Sequence, residues 1–165
     1  MDRSRLLPSL MLELVQAERS QYRCSMRQAE RLDHVPPSAA ARAVAAHSNE
    51  ALDELLRLAK ARGLRLSSFG QLGTDALAFV RESLLDRVSS NERAYRSALL
   101  GMRRGIDLAA MLRVAAEDEH DTELAAWCER FVTVRERLVR DALGELAWFG
   151  HRPRFSLATA PATAT

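Results

Sequence analysis

The sequence predicts an all-α protein, an antiparallel four-helix bundle with a short extra helix between the third and fourth long helices. Three observations lead there. Apolar residues recur every three to four positions along four long stretches, which is the period of a helix buried on one face. Turn chemistry closes each stretch, and the strong helix formers Ala, Leu, Arg and Glu dominate the composition. The chain has 165 residues, enough for one domain to bury a core unaided. Residues 1–150 are expected to form the bundle and residues 151–165 a flexible Ala/Thr/Pro tail.

The first helix is predicted from Pro8 to Leu32, with Met11, Leu14, Glu18, Tyr22, Ser25, Ala29 and Leu32 on one face. It stops at Val35-Pro36-Pro37, because a residue before proline is pushed out of the helical region. The second runs from Ser38 to Arg62 along the stripe Ala41, Val44, Ser48, Ala51, Leu52, Leu55 and Leu58, and Gly63 suits its C-terminal cap. The third is predicted from Gly73 to Arg104, with Leu77, Val80, Leu84, Val88, Asn91, Tyr95, Ala98 and Met102 as its inner line. There Arg103-Arg104-Gly105 repeats the basic-then-glycine ending of the second helix. Asp107 then reads as the cap of the short extra helix, and Leu108, Met111, Leu112 and Ala115 as its apolar face. Glu117-Asp118-Glu119 and Asp121 suit the positive start of the fourth helix. Leu124, Trp127, Phe131, Val134, Leu138, Ala142, Leu146 and Phe149 carry that helix to Gly150. Residues 63–72 are a comfortable link between antiparallel neighbours, which predicts up-down-up-down order; a crossover would need that link to run nearly straight.

Chemistry in such a bundle has to come from polar residues on the apolar stripes. Glu18, Tyr22, Ser48, Asn91 and Arg135 fall there, near the middles of the predicted helices, and form a candidate polar core layer. A small polar site is one reading. A buried ion pair such as Glu18 with Arg135, fixing register, is the favoured one.

A carboxylate-bridged metal site is the sharpest functional candidate. Di-iron bundles draw one Glu from each of two helices and a Glu-x-x-His pair from each of the others. This chain offers Glu18, Glu92, His47-x-x-Glu50 and His120-x-x-Glu123, the right count with the order of each pair reversed. Glu50 points roughly 140° from the centre of its helix's apolar face, and His120 lies roughly 20 Å along the axis from Glu92. A reduced set of Glu18, His47 and Glu92 remains, suited to iron, manganese or zinc.

In its helix layout over residues 8–150, and in Asn91-Glu92-Arg93-Ala94-Tyr95-Arg96 and Leu146-Ala147-Trp148-Phe149, the chain resembles uncharacterised bacterial four-helix proteins of the ferritin-like superfamily. That resemblance implies a ferritin-like bundle. Ferritins proper would imply iron oxidation and storage, but their forward Glu-x-x-His pairs are missing here, so no metal residue is carried over.

Other classes find little support. Ser48 beside His47 points elsewhere and has no supporting acid for hydrolysis. Arg103-Arg104 and Arg135, Arg137 and Arg140 are interrupted by acids, and a net charge of +2 is small for a nucleic-acid binder. The first residues, Met1 to Val15, do not read as a secretory signal, and no apolar run is long enough for a membrane span. Cys24 and Cys128 have no CxxC partner, consistent with a cytoplasmic protein. Trp148 lies off the inward line of its helix, as do Leu85, Leu100 and Val139, so Trp148 is a candidate interface residue for a homodimer. The expected function is therefore non-catalytic, exerted through contacts with a second copy or an unidentified protein partner, with no resident cofactor. A ferritin-like metal protein with a degenerate site is the alternative, and a small-molecule sensor a third.

Overall fold

The computed structural model describes residues 6–64 and 90–152. Expectations for Gly73, Leu77, Val80, Leu84, Leu85, Val88 and the tail beyond Arg152 fall outside the described residues. Four long helices make up the rest: α1 (Leu6–Leu32), α2 (Pro36–Ala61), α3 (Asn91–Asp118) and α4 (Thr122–Gly144), followed by a short α5 (Leu146–Gly150). No strand occurs among the described residues.

Local chemistry sets most of the helix ends. Gly63 takes φ +70 after α2, and Gly63 and Leu64 return hydrogen bonds to the Lys60 and Ala59 carbonyls, which closes the helix in the manner expected of a C-terminal glycine. Ser90 caps α3 by accepting from the Arg93 N–H, and Asp121 caps α4 by accepting from the Leu124 N–H.

Each helix packs on two neighbours. The principal contacts are α1 with α2, α1 with α3, α3 with α4, and α2 with α4. Every one of these pairs is antiparallel. Along α2 and α4, Arg62 meets Asp121, Glu54 meets Trp127 and Ser48 meets Arg135. Gly101 and Gly105 of α3 lie against Gln21 and Glu18 of α1, and Tyr95 bonds to the Ala142 carbonyl on α4. It follows that α2 and α3, on the diagonal, run in the same direction. The order is up-down-down-up, not the expected up-down-up-down. That expectation began the third helix at Gly73 and left a short link. In the structure the Ser90 cap starts α3 at Asn91, at the opposite end of the bundle from Leu64.

The stop expected at Arg104-Gly105 is also corrected. α3 runs unbroken to Asp118, and no separate short helix lies between α3 and α4. Gly105 is there because α1 comes close: a Cβ on it would stand 2.8 Å from Glu18 Oε1, and one on Gly101 would collide with Gln21 Oε1. Burial of Leu108, Ala109, Leu112, Ala115 and Ala116 against the other helices carries α3 past the Asp107 capping signal. The acids Glu117 and Asp118 consequently end α3 and do not begin α4; the chain turns at His120, which takes φ 59. The short helix appears instead after Gly144, where α4 stops and α5 folds Phe149 into the core.

Two apolar clusters fill the bundle. One joins the start of α1, the end of α2, the end of α3 and the start of α4 around Met11, Leu14, Leu55, Leu112 and Leu124. The other, at the far end, gathers Leu32, Val44, Tyr95, Met102, Val139 and Phe149. Between them lies a polar layer.

The close approach of α1 and α3 yields a testable consequence. Gly105→Ala should lower stability by roughly 1–3 kcal/mol in urea denaturation, because the new methyl displaces a buried, paired carboxylate. Gly144→Ala, where a Cβ would meet nothing within 4 Å, should be neutral or stabilising by up to about 1 kcal/mol.

Candidate functional site

The polar layer is built from three helices. On α1, Glu18, Gln21, Ser25 and Gln28 follow one another at steps of three and four, and all are buried. α2 contributes Ser48 and α4 Arg135, both with no exposed surface. Arg135 Nη2 donates to Glu18 Oε2 and, at 3.1 Å, to Ser48 Oγ, while its guanidinium also sits 5.0 Å from the centre of the Phe131 ring. Gln21 donates to Ser25 Oγ at 3.0 Å. Glu18 Oε1 and Arg135 Nε and Nη1 have no hydrogen-bond partner among the described residues.

Electrostatics in this layer follows from burial. Loss of solvent pushes the Glu18 carboxyl up and the Arg135 guanidinium down, and each partner's charge opposes the other's shift. Arginine keeps its proton in proteins, so Arg135 enters the pair as a cation, and its charge works against the rise at Glu18. His47, half-buried beside Ser48 on α2, lies with its ring tilted against Phe131, 5.2 Å between centroids. Desolvation first, and the nearby Arg135 charge second, lower its pKa to about 4. At neutral pH it is an uncharged imidazole.

Of the expected layer, Glu18, Ser48 and Arg135 come together. Tyr22 and Asn91 do not. Tyr22 is only half-buried, and Gln21 takes the inward position one residue earlier. Asn91 is the first residue of α3, far from the layer's depth. On α4 the inward residue after Phe131 is Arg135; Val134 is exposed, and Val139 belongs to the core although it was expected to stray from it. Gln21 and Gln28 were missed because amides at helical spacing look the same on a buried and a solvated face.

The candidate metal set is not gathered either. Glu18 is held by Arg135, and His47 lies at a similar depth. Glu92 sits in the first turn of α3, paired with Arg96 at 3.2 Å. Thirteen residues separate it from Gly105, the residue opposite Glu18, or roughly 20 Å of helix. Glu50 is exposed and His120 lies in the α3–α4 turn. Among the described residues, no three His, Cys, Asp or Glu side chains form a group able to hold a metal ion.

Outside the layer, an open groove of about 220 Å³ lies between α2 and α4, lined by His47, Glu50 and Glu54 on one side and Trp127, Arg130 and Phe131 on the other. Trp127 Nε1 donates to Glu54, so the indole already has its partner. Cys128 is fully buried and its thiol is pushed up to about 12 by desolvation, which makes it an inert core residue. Trp148 is half-buried, edge-on to Phe149 with Arg152 over its face. The chain matches no family model, no curated protein and no solved structure.

Two outcomes are expected from this geometry. Glu18→Leu alone should cost about 3–5 kcal/mol by stranding Arg135, and Glu18→Leu with Arg135→Met should recover most of that loss. Additive losses in denaturant titrations would separate the two residues. His47 gives the second. Unfolded, it binds a proton near pH 6.5, whereas folded it resists protonation until about 4. Its stabilising contribution is thus full at neutral pH and is lost as pH falls through that window. A loss of roughly 1 kcal/mol is expected after discounting for its partial exposure. Subtracting the profile of His47→Gln isolates this part from the opposite contribution of Glu18, whose folded pKa is raised.

Proposed function

We propose that this protein is a non-catalytic helical bundle that acts through protein–protein contacts, self-association first among them. The observation that carries the reading is a contrast between inside and outside. The polar residues of the centre are sealed from solvent, and the Glu18 carboxylate is paired with the Arg135 guanidinium. The outer face of α3, by contrast, presents Leu100, Met111 and Val114 at 69%, 54% and 52% exposure. A helix that keeps large apolar side chains in water on a single face is suited to covering that face with protein. No helix among the described residues is long and apolar enough to cross a membrane. The cytoplasm is the proposed compartment, on the sparse cysteine content.

One observation favours a second reading. Four helices in up-down-down-up order with one long connection are the plan of ferritin-like bundles, which supports a ferritin-like ancestry and keeps a metal-binding role as the alternative. The ion pair at Glu18 and the remoteness of Glu92 weigh against it.

Native mass spectrometry of the protein purified without added metal separates the two. A dimer mass without adducts is expected. Stoichiometric iron, manganese or zinc adducts would transfer the case to the metal reading. Trp148→Ala is expected to leave the oligomeric mass unchanged, because that ring already packs within its own chain against Phe149 and Arg152.

A further inference from the structure

The exposed residues of α3 are arranged as a seam. Arg93, Ser97, Leu100, Arg104, Asp107, Met111, Val114 and Asp118 follow at alternating steps of four and three, and every one is exposed. At 100° per residue most of them fall within an arc of roughly 60–80° on the side away from Gly105, the spacing of a coiled-coil contact line. From Arg93 to Asp118 the seam is about 38 Å long.

The order of residue types along it is self-complementary. Turned end for end about a point between Gly105 and Ile106, the seam places Arg93 on Asp118, Ser97 on Val114, Leu100 on Met111 and Arg104 on Asp107. The basic residues lie in the N-terminal half and the acidic ones in the C-terminal half. A parallel arrangement would instead stack Arg on Arg and Asp on Asp. Neither Arg104 nor Asp107 forms an ion pair with a described residue of its own chain.

We propose that this seam is a homodimer interface, in which α3 of a second copy packs antiparallel on α3 of the first about a two-fold axis near Gly105. This rests on the self-association reading and supplies its geometry. Leu100 and Met111 of the two copies form two apolar layers flanking the axis. Arg104 and Asp107 pair twice between them, and Arg93 and Asp118 close the ends. Such an interface is isologous, so each side chain acts twice, and antiparallel packing supplies the layers that face one a-type with one d-type position.

Two-fold symmetry makes a charge-reversal experiment decisive. The full chain and its variants are compared by sedimentation velocity across a concentration series, with circular dichroism to confirm helical content. Wild type should dimerise. Arg104→Asp and Asp107→Arg should each raise the dissociation constant by at least about 10-fold, because either one creates two like-charge pairs. Combining them should return it to within about 3-fold of wild type, since the exchanged pair is restored across the axis. Leu100→Glu, on an exposed position that does not enter the core, should abolish the dimer at micromolar concentration. A dimer indifferent to all these changes would leave self-association standing and overturn the α3 seam. A wild-type monomer at about 100 µM would overturn both.

Discussion

One buried ion pair organises the molecule. Glu18 and Arg135 belong to diagonal helices, α1 and α4, which share little other contact, and Ser48 joins them from α2. Removing two charges from water is expensive, so the pair contributes little net stability and a great deal of selectivity among packings. A shift of any of these helices by one turn would separate carboxylate from guanidinium and leave both unpaired inside the bundle. An aliphatic core of interchangeable Leu and Ala residues cannot impose that penalty by itself, because many registers fill space almost equally well.

The rest of the interior is fitted around this pair. Glu18 needs room on its α3 side, and Gly105 provides it; Gly101 does the same for Gln21 one turn along. Apolar clusters then close both ends of the bundle, and Arg62, bonded to both carboxylate oxygens of Asp121 at 2.5 Å, ties the end of α2 to the start of α4. Partial exposure of that outer pair limits its energetic weight, but it holds the N-cap of α4 in place. Arg135 Nη2 reaches Glu18 on α1 and Ser48 on α2, so one side chain links three helices, and Phe131, under the guanidinium, lines the groove at His47.

The sequence was legible wherever one interaction decided the outcome. Every residue of the expected α2 stripe is buried, Gly63 caps that helix as expected, and Glu18 meets Arg135. It was misleading where two physical causes share one residue type. Glycine after two arginines signals a C-terminus at Gly63 but a close helix contact at Gly105, and only the packed neighbour distinguishes them. Acids after Ala116 suit a helix start by their dipole, yet tertiary burial of Leu112 and Ala116 carries α3 through them to Asp118. Tyr22 lost the inward position to Gln21 because periodicity fixes a face only to within about one residue. Chain direction was the deepest failure, since the antiparallel preference of neighbours says nothing of which helices are neighbours.

The two faces of α3 show how one helix can serve fold and association at once. Its inner line carries large core residues such as Tyr95, Met102 and Leu112 but drops to Gly101 and Gly105 where α1 comes closest, which leaves room for Gln21 and Glu18. The large residues on the outside are unexplained by the bundle's own packing. Leu100, Met111 and Val114 lie where Glu or Lys would be expected on a solvated helix, and reversal of the seam sets Leu100 on Met111 and each of Arg93 and Arg104 on an aspartate. Random surface composition does not favour that symmetry. A two-fold contact does, because each residue on such a seam must suit its partner twice. Under the proposed self-association, the buried inner face of α3 fixes one bundle and the exposed seam presents the same helix to a second copy.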